Sequence, residues 1–245
     1  MPRELHLPSP AQRAALRAQD PGAWRDAAPR PAIPAAGAAR LDGVAIPARA
    51  AATPDTALDL TRVYDLAPDS VQSSSAGTKP FLRPWAAGLQ RFAGTRFDIR
   101  GIVVVGADGT GECLPVPVPA IAAVQPVLRS ALRTPEDGPR RLAELEFHYV
   151  DGGMATVPLR ATVELPGYGE NDQDVPFAYV ARAPRAATGF RQAAAAAPRL
   201  ANPEPGRAVR CVDLRSPAGT TQLFAMSVIP VPAPVIAGGN FRNSQ

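Results

Sequence analysis

Apolar and polar residues alternate along much of this chain with a period of two, and glycine and proline break the pattern at short intervals. The period is clearest over 140–165, RRLAELEFHYVDGGMATVPLRATVEL. Leu145, Phe147 and Tyr149 form one i, i+2 row, and Glu144, Glu146 and His148 form the other. Asp151-Gly152-Gly153 supplies turn chemistry and Met154 to Leu165 returns, so the stretch predicts a β-hairpin with one face on a core. Residues 91–105, RFAGTRFDIRGIVVV, predict a turn at Ala93-Gly94 feeding a strand that runs to Val105. Phe92 and Phe97 are expected to pack sheets together around that turn. Asp98 and Arg100, two apart, are expected to share a strand face, either as an ion pair or as polar groups at the rim of a ligand site.

Further strands are predicted over 57–66 (ALDLTRVYDL), 175–183 (VPFAYVARA), 208–214 and 220–231. CLPVPVPAIAAV, 113–124, is apolar but carries three prolines. Proline cannot donate to a ladder, so this segment fits an edge strand or an extended strap. FRQAAAAA, 190–197, has helix propensity. Short strands without strand–helix alternation predict an all-β fold, an antiparallel β-sandwich of jelly-roll type.

The period is lost over 1–54. Ser9-Pro10-Ala11-Gln12 has the form of a capping box and predicts a short helix over about 10–18. The Pro/Ala-rich run that follows has Trp24 as its only large anchor, and reads as an extended or disordered strap. The expected organisation is an extension over 1–54, a sandwich domain over 55–232 and a C-terminal tail over 233–245.

Composition sharpens this picture in a few places. The net charge of +4 is mostly the extension's, whose seven arginines face four acidic residues; the remainder is nearly neutral, so no nucleic-acid partner is expected. No run approaches the roughly 20 apolar residues of a membrane span. The first residues, MPRELHLPSPAQRAALRAQD, lack the apolar centre of a signal peptide. Cys113 and Cys211 are too far apart for a metal motif. They read as two isolated buried thiols, with pairing left open for an oxidising compartment.

Catalytic chemistry finds little purchase. His6 and His148 are the only histidines, and there is no Gly-x-Ser-x-Gly elbow. His148 reads as a satisfied strand histidine. Carboxylate pairs such as Glu144 and Glu146 occur in any sandwich and do not by themselves specify glycoside hydrolysis. The Gly106–Gly111 turn lacks the Lys-Ser/Thr ending of a phosphate-binding loop. The expectation is a protein that is not an enzyme and has no cofactor, with one exception. Glu170, Asn171, Asp172 and Asp174 crowd one loop and would suit calcium. Tyr168 beside that loop, and Trp85, are the candidate aromatics for stacking on a sugar.

Three local patterns occur in order: Gly88-Leu89-Gln90 with Phe92-Ala93-Gly94 and Phe97-Asp98-Ile99-Arg100-Gly101-Ile102; then His148-Tyr149-Val150-Asp151-Gly152 with Val157-Pro158-Leu159; then Asn202-Pro203-Glu204-Pro205 with Val209 to Leu214. In this order they resemble bacterial galactose-binding-like jelly-roll modules, which occur as C-terminal extracytoplasmic domains of membrane-tethered regulator-like and surface proteins. The sequence departs from that family where a histidine-containing strand is usual (AVQPVLRSALR stands there) and where tryptophans are usual (Pro166-Gly167-Tyr168 and Leu200 stand there). The resemblance implies the sandwich fold, an extracytoplasmic location and carbohydrate binding or adhesion. The expected function is therefore non-catalytic binding of a glycan or other surface ligand through sandwich-edge loops, with Tyr168, Trp85, Asp98 and Arg100 as candidates. The alternative is a structural protein whose extension straps onto a neighbouring subunit and drives self-assembly.

Overall fold

The structure is a computed structural model that describes residues 5–6, 39–41, 44–67, 87–110, 112–118, 120–130, 141–161, 163–165, 178–182, 194–217 and 221–232. Its strands in chain order are Leu5–His6 (β1), Ala39–Leu41 (β2), Val44–Ala45 (β3), Gly88–Phe92 (β4), Thr95–Ile99 (β5), Val103–Val105 (β6), Leu114–Pro115 (β7) and Ile121–Ser130 (β8). Arg141–Tyr149 (β9), Met154–Arg160 (β10), Ala178–Arg182 (β11), Ala194–Pro198 (β12), Leu200–Ala201 (β13), Val209–Arg215 (β14) and Thr221–Pro230 (β15) follow. No helix occurs among the described residues.

Two antiparallel sheets face each other, one ordered β10-β9-β14-β7 and the other β11-β12-β8-β15-β6, with β13 also on β8. The chain crosses between them repeatedly, which gives the sandwich its jelly-roll character. The period of two read over 140–165 does what it predicts. Leu145, Phe147 and Tyr149 are buried in one cluster with Val212 and Leu214 of β14 and with Val124, Leu128, Leu223 and Met226 of the opposite sheet. Burial of each such large side chain contributes about 1.5–3 kcal/mol.

The larger sheet is apolar on its outer face as well. Phe97, Ile99, Ile102, Val127 and Phe224 form a second buried cluster there. The hairpin β4–β5 lies over this face, and the Phe92 and Phe97 rings stand 5.7 Å apart. The two phenylalanines therefore fix a third layer to the larger sheet rather than joining the two main sheets.

Several expectations change. The strand predicted through 97–105 is two strands, β5 and β6, broken at Arg100-Gly101. Gly101 lies under the Tyr64 ring, where a Cβ would sit 2.5 Å from the ring. Residues 57–66 form turns, not a strand. They strap along the sheet instead: Leu58 N donates to Met226 O and Val228 N donates to Thr56 O, each at 2.8 Å, continuing the edge of β15 past the end of β6. The edge of β6 is covered too, because Asp65 and Leu66 bond to Ile102 and the Asp65 carboxylate accepts from Val104 N at 2.6 Å. Such cover removes a site of edge-to-edge aggregation. Residues 190–197 yield the strand β12 rather than a helix over the part that is described. Residues 113–124 divide into β7, which is an edge strand as expected, and the start of β8, which is central. Pro126 is tolerated inside β8 at a point where neither β12 nor β13 pairs, since they meet β8 at Leu128 and at Ala123–Val124.

Ile46 belongs to the main core, so the end of the Pro/Ala-rich extension is anchored on the sandwich. Farther back the extension forms a small sheet of its own, with β1 parallel to β2 and β2 antiparallel to β3. The helix expected over 10–18 and the tail over 233–245 lie outside the described residues. The two cysteines are not separate thiols. The β7–β14 register brings Cys113 diagonally to Cys211, and they form a disulfide with Cα atoms 5.5 Å apart.

Candidate functional site

The break between β5 and β6 turns Arg100 into the interior. Its Nε donates to Asp98 Oδ2 at 2.8 Å, its Nη2 to Asp59 Oδ1 at 2.7 Å and its Nη1 to the Pro47 carbonyl at 3.2 Å. Asp59 also accepts from Thr61 N at 3.0 Å and from Thr61 Oγ1 at 2.5 Å. Arg49 lies alongside, bonded to the carbonyls of Pro54 and Ala57, with its Nη1 3.9 Å from Asp98. Arg100 and Asp98 are only 3% and 2% exposed. Burial pushes the Asp98 carboxyl up against the opposing pull of Arg100. Burial also acts upward on Asp59, but the Thr61 hydrogen bonds and the Arg100 charge outweigh it and hold that carboxyl below its ordinary value. Burial alone would lower the Arg100 guanidinium, yet Tyr64, Asp98 and Asp59 raise it. The expected pair is thus a buried brace. It ties the 46–61 segment to the hairpin, as the ion-pair alternative expects.

Tyr168, Trp85 and the proposed calcium ligands Glu170, Asn171, Asp172 and Asp174 lie outside the described residues. Among those described, no group of three or more His, Cys, Asp or Glu is placed to hold a metal ion.

A second cluster brings together two of the sequence patterns, about fifty residues apart, at one end of the sandwich. The β9–β10 turn carries Asp151, and the segment after β13 carries Asn202, Glu204 and Arg207. Tyr149 Oη donates to Asn202 Oδ1 at 2.8 Å, and Asn202 Nδ2 donates to the Ile121 carbonyl at 3.0 Å, at the start of β8. Glu204 N completes the Asn202 oxygen at 3.1 Å. The Arg207 guanidinium lies over the Tyr149 ring, 4.2 Å from its centroid. It donates to both oxygens of Glu204 and forks onto Asp151. A Cβ at Gly153 would displace that guanidinium from its present seat. The hydrogen bond from Arg207 holds the Asp151 carboxyl low, and burial raises the Tyr149 hydroxyl. Val150 and Met154, 64% and 55% exposed, flank the turn as an apolar lip beside these charges. The result is a pre-set polar rim of Asp151, Glu204 and Arg207, held from beneath by the buried Tyr149 and Asn202.

No protein-family model, curated protein or solved structure matches the chain.

His148 stands in β9 with its Nε2 3.3 Å from Glu146 Oε2, and the Arg215 Nε lies 3.2 Å from the same oxygen. Arg215 also approaches Asp213 at 3.4 Å, and Asp213 accepts from Thr110 N at 2.9 Å and Thr110 Oγ1 at 2.7 Å. This row of alternating charges lies across neighbouring strands and knits β9 and β14 to the 106–110 turn. Reading the sequence identified His148 and the carboxylates but missed Arg207 and Asn202. The ordered His148–Gly152 and Asn202–Pro205 patterns were the available signal, and only the fold shows that they meet.

Proposed function

We propose that this chain is a non-catalytic binding module that works outside the reducing cytoplasm and takes a glycan or another surface ligand through loops at one end of its sandwich. The observation that carries the reading is the rim built by Asp151, Glu204 and Arg207, braced from beneath by the buried Tyr149 and Asn202, beside the exposed Val150 and Met154. Fixed polar groups next to apolar surface are what a sugar face and its hydroxyls need. The galactose-binding-like resemblance is part of the same proposal, since two of its three patterns supply this rim. The Cys113–Cys211 disulfide supports the compartment, because such bonds persist where glutathione does not keep thiols reduced. Tyr168 and Trp85 are proposed as stacking aromatics, and Glu170, Asn171, Asp172 and Asp174 as a calcium loop.

The test is binding of the full oxidised chain to immobilised neutral and acidic polysaccharides, beside its Arg207→Ala variant. The variant is expected to keep its fold and to bind the preferred glycan several-fold more weakly. Equal binding by both proteins would remove the rim from the account.

A second reading, assembly through the extension, is favoured by the parallel pairing of β1 with β2, which gives residues before the sandwich an ordered sheet. Deleting residues 1–43 should then shrink the particle seen by light scattering. An unchanged mass would dismiss it.

A further inference from the structure

The hairpin β4–β5 turns through Ala93 and Gly94, both with positive φ (47° and 82°), the geometry of a two-residue primed turn. That turn fixes the register: Phe92 opposes Thr95, Arg91 opposes Arg96, Gln90 opposes Phe97 and Leu89 opposes Asp98. Alternation then sends Phe97 and Ile99 onto the larger sheet and puts Arg91 and Arg96 together on the outer face. Both arginines are exposed. Like charges directly opposite on paired strands, with Cβ atoms about 5 Å apart, are destabilising. Nothing in the packing asks for them.

Several other arginines are matched, while Arg199 and Arg210 are exposed and, among the described residues, also lack a carboxylate within 4 Å. Arg49, Arg100, Arg160, Arg207 and Arg215 each lie within 4 Å of a carboxylate. Among the described residues, neither Arg91 nor Arg96 has such a partner; Arg91 Nε reaches only the Gly94 carbonyl, at 3.3 Å. The strands that carry them are held firmly from behind. Ser227 Oγ donates to the Arg96 carbonyl at 2.7 Å, and Thr95 Oγ1 donates to Gln125 Oε1 at 2.7 Å. The turn between them bears only a methyl group and a glycine, so the approach along the outer face is not crowded by turn side chains.

From this geometry we infer that Arg91 and Arg96 form an oxyanion-binding pair that takes the carboxylate or sulfate groups of an acidic polysaccharide. Two guanidinium forks on one rigid face suit planar or tetrahedral oxyanions, which they can bind in bidentate fashion. An anion between them also removes the repulsion that the empty pair carries. The ligand class rests on the proposed binding-module function. A nucleic acid offers the same oxyanion chemistry, but the nearly neutral body of the chain and its disulfide favour the polysaccharide.

The experiment is titration of the full oxidised chain with polygalacturonate, heparin, neutral dextran and a DNA duplex, for the wild type, for Arg91→Gln/Arg96→Gln and for Arg207→Ala. The wild type is expected to bind polygalacturonate or heparin, and which of the two binds more tightly separates uronate from sulfate. The double variant should bind at least about tenfold more weakly, with a thermal midpoint no lower than the wild type's because a repulsion has gone. Added salt should weaken the wild-type interaction. Unchanged acidic-polysaccharide binding by the double variant would overturn the inference, as would tighter binding of the duplex. Binding of dextran with no preference for the acidic polymers would overturn this inference alone and leave the module reading standing. Binding of no polysaccharide by the wild type would overturn both.

Discussion

Arg100 forms the ion pair with Asp98 that the sequence offers as one alternative, and adds a partner that the sequence does not announce. Its spacing from Asp98 announces a shared strand face, but the partner that completes it, Asp59, comes from a segment 41 residues earlier. No local pattern carries that information. Because Asp98 is buried, Arg100→Ala strands a carboxylate in the interior, a change that costs about 3–5 kcal/mol. Urea unfolding of the variant should show that loss with an unchanged slope. Acid titration gives a second check. The Asp59 carboxyl is held below its ordinary value, so it contributes stability above the unfolded carboxylate's pKa that is lost as pH falls through the folded one. Asp59→Asn should therefore lose less stability than the wild type between about pH 5 and pH 2. A steeper acid loss in the variant would contradict the arrangement.

At the scale of elements, pattern succeeded where a strand has one buried and one wet face, and failed where another constraint intervened. The β9–β10 hairpin lies where the alternation of Leu145, Phe147 and Tyr149 places it. In 57–66 the same alternation reports burial without a ladder: Leu58, Leu60, Val63 and Tyr64 are buried, but Val63 N bonds back to Leu60 O in a turn. The alanine run failed in the opposite sense. Ala196 enters the main core while Ala195 and Ala197 enter the outer cluster, so the strand is packed on both faces. Tertiary context there overrides helix propensity. The β4–β5 turn was legible as a turn, though not its hand. Ala93 occupies the left-handed region at φ 47°, which suits Asn or Gly better than Ala. Ala93→Asn creates the preferred Asn-Gly pair and should raise stability by about 0.5–1 kcal/mol. A lower thermal midpoint would mean that the turn is not of the primed type.

The whole molecule is a sandwich with an added hairpin layer, strapped by residues 46–66 and cross-linked across β7 and β14. Composition and periodicity sufficed for the fold class, because an all-β chain must hide one face of each strand. They could not tell that Cys113 and Cys211 meet, since a separation of 98 residues says nothing about strand order. A cross-link closing a loop of that size restricts the unfolded chain and typically stabilises by about 2–4 kcal/mol. Reduction should lower the urea midpoint accordingly, and an unchanged midpoint would show the bond to be absent in solution. The candidate rim was equally hidden, because Tyr149 and Asn202 are joined by topology and not by spacing.

Binding of a surface ligand is the proposed role of the whole molecule. The decisive experiment is thermal unfolding of the oxidised chain against a panel of monosaccharides and polysaccharides, with and without calcium. A ligand that binds only the folded form raises the midpoint by mass action. A saturable upward shift is expected with at least one glycan, diminished in Arg207→Ala. A midpoint that stays flat across the whole panel would contradict it.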